Sequence, residues 1–439
     1  MHFRRDTITT ALALAGALSA IALTATVASA TALPKTLWVS PSPAVAGGGS
    51  SCAKPGYNEI QAAVNAATSG STINVCAGTY TEQVAITKSL AVIGSGSPTI
   101  VMPATPADST TACDTAFDAI AAPDQDGVVV CGAVNVTLQG IKVDAAFSGV
   151  NCYANEGYFG IVVAGGATLN FLSSAVTAAG AVPLNGCQGG IGLQVGNSQT
   201  TPVQVGHLNL LNSSVSGYQK NGIDVEGSGS SGSITGATVT GIGPTPEIAQ
   251  NGIQVEEGAT AQILSSTITG DECNYPGACG PNGLTQYGGS GVLLEATGPS
   301  SVIGSTISNN DEGIYYVANP EGKAPLLPTD TIAGDSLIND RYQGIQLNQG
   351  SALITGSQIS GGNVGIQLLQ YAGQTFGIQS YASADVIKGE AVAAVQVLSD
   401  QAPGDFPGTF TISLSKLSGN AASVLDNSSN LKVLQLADY

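Results

Sequence analysis

The chain is poor in charged and aromatic residues, which make up only 10% and 5% of its 439 residues. Basic residues are the scarcest, with 12 Lys and Arg against 30 Asp and Glu, and the formal net charge is −18. An acidic chain is repelled by the phosphates of nucleic acids and by anionic membrane surfaces, so the composition excludes both as partners. It would also be repelled by a polyuronate, unless calcium ions bridged the two.

Long hydrophobic runs are absent beyond the first 30 residues, so no second segment could span a bilayer. Within those 30 residues, Arg4 and Arg5 precede an Ala/Leu-rich run, and Ala28–Ala30 supplies small residues for cleavage. We therefore predict a signal peptide at residues 1–30 and a secreted, extracellular mature protein from residue 31.

The sequence contains no Cys-x-x-Cys motif, and all its cysteines follow the predicted signal peptide. An even number of cysteines in an exported chain favours disulfides over metal thiolates or redox chemistry. Pairing between nearest neighbours in the sequence is our expectation, so that Cys273 with Cys279 closes one loop and Cys152 with Cys187 closes another. The eight residues concerned are Cys52, Cys76, Cys113, Cys131, Cys152, Cys187, Cys273 and Cys279.

Helical segments are scarce, whereas glycine is abundant, with 58 residues. Many glycines open a repeated phrase of Gly, an aliphatic residue, any residue and a second aliphatic residue. A second phrase, with aliphatic residues at offsets 0 and 5 and Gly or Ser at offset 2, follows most copies. The first phrase occurs at Gly160–Val163, Gly192–Val195, Gly222–Val225, Gly252–Val255, Gly291–Leu294, Gly313–Tyr316, Gly344–Leu347 and Gly365–Leu368.

The shortest repeat, residues 344–364, contains three short apolar segments with a period of two, separated by Gly and Asn. Such segments predict short strands, and three strands in about twenty residues predict one coil of a parallel β-helix. The aliphatic residues of successive coils would stack inside as the core. Insertions at residues 242–250 and 271–289 fall at the same point of the repeat, which predicts loops at one edge of the solenoid. Asn221 and Asn251 are expected to occupy left-handed bends before the phrase.

Glu59–Ala67 is the clearest amphipathic helical segment and predicts a cap over the first coil. Val424–Leu436 predicts a final pair of strands that closes the stack. We therefore expect an all-β chain with one domain over residues 31–439, with a cap at about 52–80, coils at about 81–420 and a closure at 421–439.

The opening stretch, Tyr57–Gly96, resembles that of pectin-lyase-like β-helix proteins, including pectinesterases, in its cap helix, its Gly-Ser-Thr-Ile strand and its Gly-Thr-Tyr-Thr-Glu turn. From Gly217 onward, the repeats resemble those of secreted bacterial right-handed β-helix proteins. The resemblance implies a right-handed parallel β-helix solenoid. The catalytic motifs of pectate lyases, polygalacturonases and pectinesterases are absent, Arg341 is the only arginine beyond residue 5, and His207 is expected to be structural.

Alignment of the Gly-aliphatic phrases places Glu226, Glu256 and Glu295 at the same offset in three successive coils. Because residues alternate between the faces of a strand, these side chains and those of Asp224 and Gln254 should point outward as a surface column. Neighbouring coils are about 4.8 Å apart, close to the carboxylate separation of retaining glycosidases.

Three explanations of this column remain open, because stacked like charges are destabilising. The carboxylates could extend into water, or they could bind calcium through Glu256, Glu257 and Asp271, with Glu272 as a further ligand. In the third explanation, one of them retains a proton as a general acid, with Glu256 the best single candidate and Glu226, Glu295 and Asp224 beside it.

Tyrosines near the column suit the binding of sugar rings, which have apolar faces and hydroxyl edges. The substrate-binding candidates are Tyr218, Tyr275, Tyr287, Tyr315 and Gln254. Tyr316 follows Tyr315 in the same coil, and Gln346 and Gln367 continue the outward row.

Two functions are consistent with the sequence. In the first, the protein binds or processes an extracellular polysaccharide, such as a cell-surface glycan, along the solenoid face, as a glycoside hydrolase or polysaccharide lyase if it is an enzyme. In the second, it is a non-catalytic, adhesin-like protein of the cell surface or matrix.

Overall fold

The computed structural model describes residues 33, 35–42, 44, 49–109, 113, 125–147, 157–283, 285–317, 330–348, 351–370, 378–399, 408–427 and 431–436. The predicted signal peptide, residues 1–30, lies outside these residues. Met1–Leu33 is a unit of its own, and the architecture below is that of Pro34–Tyr439. No helix of the described residues is long and apolar enough to cross a membrane.

Three parallel sheets contain the strands of the described residues. We call them the 14-stranded sheet, the Gly-Ile sheet, which carries the Gly-aliphatic phrases, and the third sheet. The 14-stranded sheet consists of Thr36–Val39, Ser71–Cys76, Leu90–Ser95, Asn135–Gln139, Ala167–Leu172, Gly206–Leu211, Ser231–Thr235, Thr260–Leu264, Ser301–Ile303, Asp330–Ala333, Ala352–Thr355, Gln379–Ser383, Gly408–Ser413 and Leu431–Leu436. The Gly-Ile sheet consists of Val84–Ile86, Gln125–Cys131, Tyr158–Ala164, Ile191–Val195, Asn221–Glu226, Asn251–Glu256, Ser290–Glu295, Glu312–Val317, Gln343–Asn348, Val364–Gln370, Ala393–Ser399 and Val424–Asp426. The third sheet consists of Thr79–Thr81, Thr99–Val101, Lys142–Phe147, Ala175–Ala181, Ser214–Ser216, Thr238–Thr240, Thr267–Thr269, Thr306–Ser308, Ser336–Ile338, Gln358–Ser360, Val386–Lys388 and Lys416–Ser418.

Consecutive strands of the chain pass from sheet to sheet, so that each sheet forms one side of a solenoid. Every strand pairs in parallel with its counterpart in the next coil, which is the arrangement of a right-handed parallel β-helix. In the Gly-Ile sheet, Ile223 pairs with Ile253, and Ile253 with Val292, and all three side chains are buried in the core. The predicted fold class and the predicted stacking of aliphatic residues are confirmed.

The glycine that begins each phrase is required by the close approach of neighbouring coils. A Cβ atom on Gly222 would lie 2.5 Å from the carbonyl oxygen of Gly252, and one on Gly252 would lie 2.5 Å from that of Gly291. Backbone at such a distance cannot move aside for a side chain. The repeat therefore retains glycine here for packing.

A ladder of hydroxyl and carboxyl groups follows the corner between the 14-stranded sheet and the third sheet. Each rung is a hydrogen bond from a backbone N–H to the side chain of the next coil, so the corner amides are satisfied without water. The rungs run from Ile141 to Ser174, Ser174 to Ser213, Ala237 to Ser266, Ser266 to Ser305, Ser305 to Asp335, Asp335 to Ser357, Ser357 to Asp385 and Asp385 to Ser415.

The cap helix is Ile60–Ala66, which confirms the predicted cap. Its apolar face, with Ile60 and Val64, is buried against the first coil. Both ends of the helix are satisfied by side chains of the following coil. The Glu82 carboxylate accepts the N–H groups of Ile60 and Gln61, both at 2.8 Å, and Lys88 Nζ donates to the carbonyls of Val64, Asn65 and Ala67.

At the other end, the predicted closure forms two strands that do not pair with each other. Val424–Asp426 ends the Gly-Ile sheet and Leu431–Leu436 ends the 14-stranded sheet. Leu434 and Leu436 are exposed on the last strand.

Three disulfides confirm the predicted pairing of neighbouring cysteines: Cys52–Cys76, Cys113–Cys131 and Cys273–Cys279. Cys187 is also disulfide-bonded. Its predicted partner, Cys152, lies outside the described residues.

Candidate functional site

The outer face of the Gly-Ile sheet carries the acidic residues that the repeat alignment brings together. Glu226 is the register partner of Glu256, and Glu256 is the partner of Glu295. We call these three residues the glutamate row. Asp224 is the partner of Gln254 in a parallel row two residues earlier. Ile223 and Val225 face the core between them, so the predicted outward direction and register are confirmed.

The predicted exposure of this column is wrong. The exposed fractions of Asp224, Glu226 and Gln254 are only 3%, 7% and 8%, and Glu256 and Glu295 are half-buried. Neighbouring chain covers the row: Ser198 donates to Glu226 from its backbone N–H at 3.0 Å and from its hydroxyl at 2.5 Å. The sequence does not show this cover, because it depends on the path of a loop from a different coil.

Burial of several acids together changes their protonation. Burial, with repulsion from Glu226, raises the pKa of Glu256 to about 7. Burial, with repulsion from Glu256 and Glu226, raises the pKa of Asp224 well above its ordinary value, although Asn221 Nδ2 donates to its Oδ2 at 2.8 Å. Burial also raises the pKa of Glu295. Glu256 is therefore able to hold or release a proton near neutral pH.

The asparagines that precede the phrase support the outward rows. Asn221 and Asn251 begin strands instead of occupying left-handed bends, so that expectation is wrong. Asn251 Nδ2 donates to Gln254 Oε1 at 2.8 Å, and a hydrogen bond from Gln254 to Glu256 stabilises the charged form of that carboxyl. Gln254 thus positions Glu256, and its role in substrate binding stays a prediction.

The longer insertion, residues 271–289, which we call the inserted loop, is held at both ends by one carboxylate. Asp311 accepts the backbone N–H of Cys273 at 2.7 Å and that of Gly289 at 2.9 Å. Arg341 donates to Asp311 from Nε at 2.7 Å and to the carbonyl of Cys273. The Cys273–Cys279 disulfide closes the first part of the loop. The single arginine of the described chain is therefore structural.

The inserted loop lies over the Gly-Ile sheet and encloses a cleft of about 580 Å³. Gln343 Nε2 donates to the carbonyl of Pro281 at 2.9 Å, and Gly283 lies so close to Gln346 that a side chain at 283 would clash. The lining combines aromatic, amide and charged groups. The cleft is lined by Gln188, Lys220, Glu247, Ile248, Ala249, Asn251, Gly283, Thr285, Gln286, Tyr287, Gly288, Ser290, Leu293, Glu312, Tyr315 and Gln346.

The glutamate row lies beside the cleft on the outer face of the Gly-Ile sheet, and we call the cleft and the row together the groove. Leu293 lines the cleft and is the register partner of Gln254, while Glu295 lies two residues further along the same strand. Lys220 connects the two parts, because it lines the cleft and interacts electrostatically with Asp224, Glu256 and Glu295.

Two residues that line the cleft have unusual polar groups: one has a raised pKa, and the other has a buried amide oxygen without a hydrogen bond. Glu312 is buried, and burial raises its pKa to about 7, although it accepts a hydrogen bond from Ser290 Oγ at 2.9 Å. Gln346 is 1% exposed, and its Oε1 has no hydrogen-bond partner. The sequence placed Gln346 on the outward row correctly. It gave no reason to select Glu312 or Lys220, which become notable only once the inserted loop is positioned above them.

The predicted tyrosines divide between the cleft, the surface and the core. Tyr287, which is 52% exposed, and Tyr315, which is half-buried, line the cleft. Tyr275 is exposed on the inserted loop and does not line the cleft. Tyr218 is fully buried in the core, where its hydroxyl donates to Asp271 Oδ1 at 2.6 Å, and Tyr316 is also in the core. The prediction that Tyr218 binds substrate is therefore wrong.

The calcium hypothesis has no support from the described part of the chain. Asp271 is fully buried and faces Tyr218 in the core, whereas Glu256 faces outward. Within the described residues, no group of three or more His, Cys, Asp or Glu side chains is arranged to hold a metal ion. His207 lies on the 14-stranded sheet, where its Nδ1 is 2.9 Å from Ser231 Oγ.

Comparisons with known proteins agree with the fold. Residues 191–379 match the family described as "Right handed beta helix region". The Agl-KA catalytic domain has a similar structure at 14% identity, with a TM-score of 0.50, over 85% of this chain and 65% of that one. The periplasmic alginate epimerase AlgG matches at 11% identity, TM-score 0.47, over 84% of this chain and 77% of its own. A pectate lyase matches at 11% identity, TM-score 0.34, over 92% of this chain and 79% of its own. No curated protein sequence matches significantly. At 14% identity, the likeness to the Agl-KA catalytic domain shows a similar fold alone.

Proposed function

We propose that this chain, a right-handed parallel β-helix of the pectin-lyase-like type, is secreted and binds an extracellular polysaccharide in the groove. The observation that carries the proposal is the cleft of about 580 Å³ under the inserted loop, with Tyr287 and Tyr315 beside amide and carboxyl groups. The loop is fastened by a disulfide and by hydrogen bonds to Asp311, so the cleft exists before a ligand arrives. A preformed site avoids the entropy cost of ordering on binding.

Binding of glycan fragments to the full chain and to tyrosine variants tests this proposal. Replacement of Tyr287 or Tyr315 by Ala removes a ring that can stack on a sugar, which contributes about 0.5 to 1.5 kcal/mol, and should weaken binding about two- to tenfold. Tyr381→Ala is the matched control, because Tyr381 is 47% exposed on the 14-stranded sheet, away from the groove. Equal affinities for all three variants and the unaltered protein would exclude the groove as the site.

We further propose that the protein cleaves the polysaccharide that it binds, and Glu256 is the residue best suited to catalysis. Its pKa of about 7 suits a general acid, and Glu295 is its half-buried neighbour in the next coil. Carboxyl groups on adjacent strands are about 4.8 Å apart, near the separation in retaining glycosidases. Glu256→Gln should then abolish cleavage of a glycan that the protein still binds.

The alternative, a non-catalytic matrix or surface protein, makes the opposite prediction. Under this alternative, the unaltered protein cleaves none of the glycans that it binds. Assays of new reducing ends and of unsaturated products would both be negative. Unchanged cleavage by Glu256→Gln would show that another residue is the acid.

A further inference from the structure

We infer that the groove selects a polysaccharide that carries protonated amino groups, such as a de-N-acetylated hexosamine polymer, over a neutral polymer or a polyuronate. This inference rests on the proposed function and specifies its class of ligand. It follows from two separate features of the groove: its charge and the chemical type of its unpartnered buried atoms.

Acidic residues outnumber basic residues in the groove. The glutamate row and Asp224 lie on one part of it, and Glu247 and Glu312 line the cleft. Lys220 is the one basic residue in the lining, and its Nζ donates to the carbonyl of Ala249 at 3.2 Å. A uronate would bring a further carboxylate to these acids, and like charges at close range repel. An ammonium group would instead offset their repulsion.

The unpartnered polar atoms around the groove are all acceptors. Gln346 Oε1 lies in the lining of the cleft, and Gln343 Oε1 belongs to the neighbouring row. The amide nitrogen of Gln343 donates to Pro281 and Gln367, so only its amide oxygen is available to a ligand. An acceptor without a partner in the lining of the cleft suits a ligand that donates. An ammonium has three donor hydrogens and no acceptor, whereas a carboxylate has acceptors only.

The tyrosines favour a cation that is attached to an apolar ring face. Tyr287 and Tyr315 provide aromatic surface in the cleft, and an amino sugar offers both an apolar ring face and a charged group. A basic peptide would satisfy the charge without using this surface in the same way. The geometry therefore favours an amino-sugar polymer over other polycations.

Binding measurements with oligomers of equal length test the inference. Calorimetric titration of the full chain with glucosamine, N-acetylglucosamine and galacturonate oligomers should give at least about tenfold tighter binding of the glucosamine oligomer. Glu256→Gln and Glu312→Gln should each reduce that preference several-fold. Asp144→Asn is the matched control, because this acid lies on the third sheet beside Lys142 and should leave the preference unchanged.

The pH dependence supplies an independent measurement. Glu256 and Glu312, whose pKa values are about 7, must lose protons to pair with an ammonium group. Affinity for the glucosamine oligomer should therefore rise as the pH increases from about 5, with protons released on binding, and fall again once the amino groups of the oligomer lose their own protons. A neutral oligomer should show no such rise.

Three outcomes would overturn the inference. Equal affinity for the glucosamine and N-acetylglucosamine oligomers would overturn amine selection and leave the proposed function intact. Equally tight binding of oligolysine would show ion pairing without recognition of a sugar. Failure of every oligomer to bind would overturn the proposed function as well.

Discussion

Arg341 donates to Asp311 from Nε at 2.7 Å, and Asp311 accepts backbone N–H groups from both ends of the inserted loop. The ion pair between Arg341 and Asp311 therefore also holds the inserted loop, because Asp311 binds both of its ends. The side chain of Asp311 is fully buried, and that of Arg341 is 34% exposed.

Arg341→Ala should loosen the inserted loop and lower the free energy of unfolding. Loss of a charge-assisted hydrogen bond costs about 2 kcal/mol, and Asp311 would remain as a buried carboxylate without its cation. Chemical denaturation measures the loss, and limited proteolysis should show new cleavage within residues 274–288. Lys432→Ala removes an exposed positive charge from the last strand and should cause neither change.

Gly222→Ala should destabilise the solenoid by about 1 to 3 kcal/mol or more, because its Cβ would lie 2.5 Å from the carbonyl oxygen of Gly252. Gly232→Ala is the matched control. A Cβ there would meet side-chain atoms of Val225 at 3.2 Å, and the register partner of Gly232 in the next coil is already Ala261. Thermal denaturation of both variants separates steric exclusion from the general effect of replacing a strand glycine.

Stability should increase as the pH falls from about 8 to about 5. Burial raises the pKa of Asp335 and of Glu390 to about 7 and that of Asp385 to about 6, while unfolded carboxyls titrate near 4. The folded chain therefore binds more protons than the unfolded chain between these values. The stabilisation is fully present below about pH 4 and is lost as the pH rises through about 6 to 7.

Denaturation at constant ionic strength across this range measures the slope, which is at most about 1.4 kcal/mol per pH unit for each group. Asp335→Asn retains the acceptor for the Ser305 N–H and should reduce the slope. Asp426→Asn, at an exposed position, should not. A protein that is most stable at alkaline pH would contradict the prediction.

Tyr218→Phe should lower stability by about 1 to 2 kcal/mol and leave glycan binding unchanged. The hydroxyl donates to Asp271 Oδ1 in the core, and its loss leaves a buried acceptor without a partner. Binding weakened by tenfold in a folded Tyr218→Phe variant would show that this tyrosine communicates with the groove.

The sequence was sufficient for the periodic part of this molecule. Register depends on local alternation, so the alignment of Glu226, Glu256 and Glu295 follows from equal offsets in the repeat. The cap helix follows in the same way from its own apolar face. Both predictions use only short-range rules.

The errors concern residues whose surroundings come from distant parts of the chain. Tyr218 lies just before a Gly-aliphatic phrase, where the sequence suggests a surface position. Its side chain is nevertheless in the core, where the hydroxyl donates to Asp271 of the inserted loop. Asp224 points away from the core but is covered, because loops fold back over the sheet. The path of an inserted loop is fixed by contacts such as Arg341 with Cys273, 68 residues apart, and no periodicity encodes them.

The corner ladder gives the stack a direction, since from Ala237 to Asp385 the corner amide of each coil donates to a side chain of the following coil. A coil that brings one Ser or Asp at this corner meets the requirement of the coil before it and presents its own amide to the coil after it. Whole coils are therefore interchangeable units. The solenoid can lengthen or shorten by duplication or loss of a repeat without changes in the sequence of the adjacent coils.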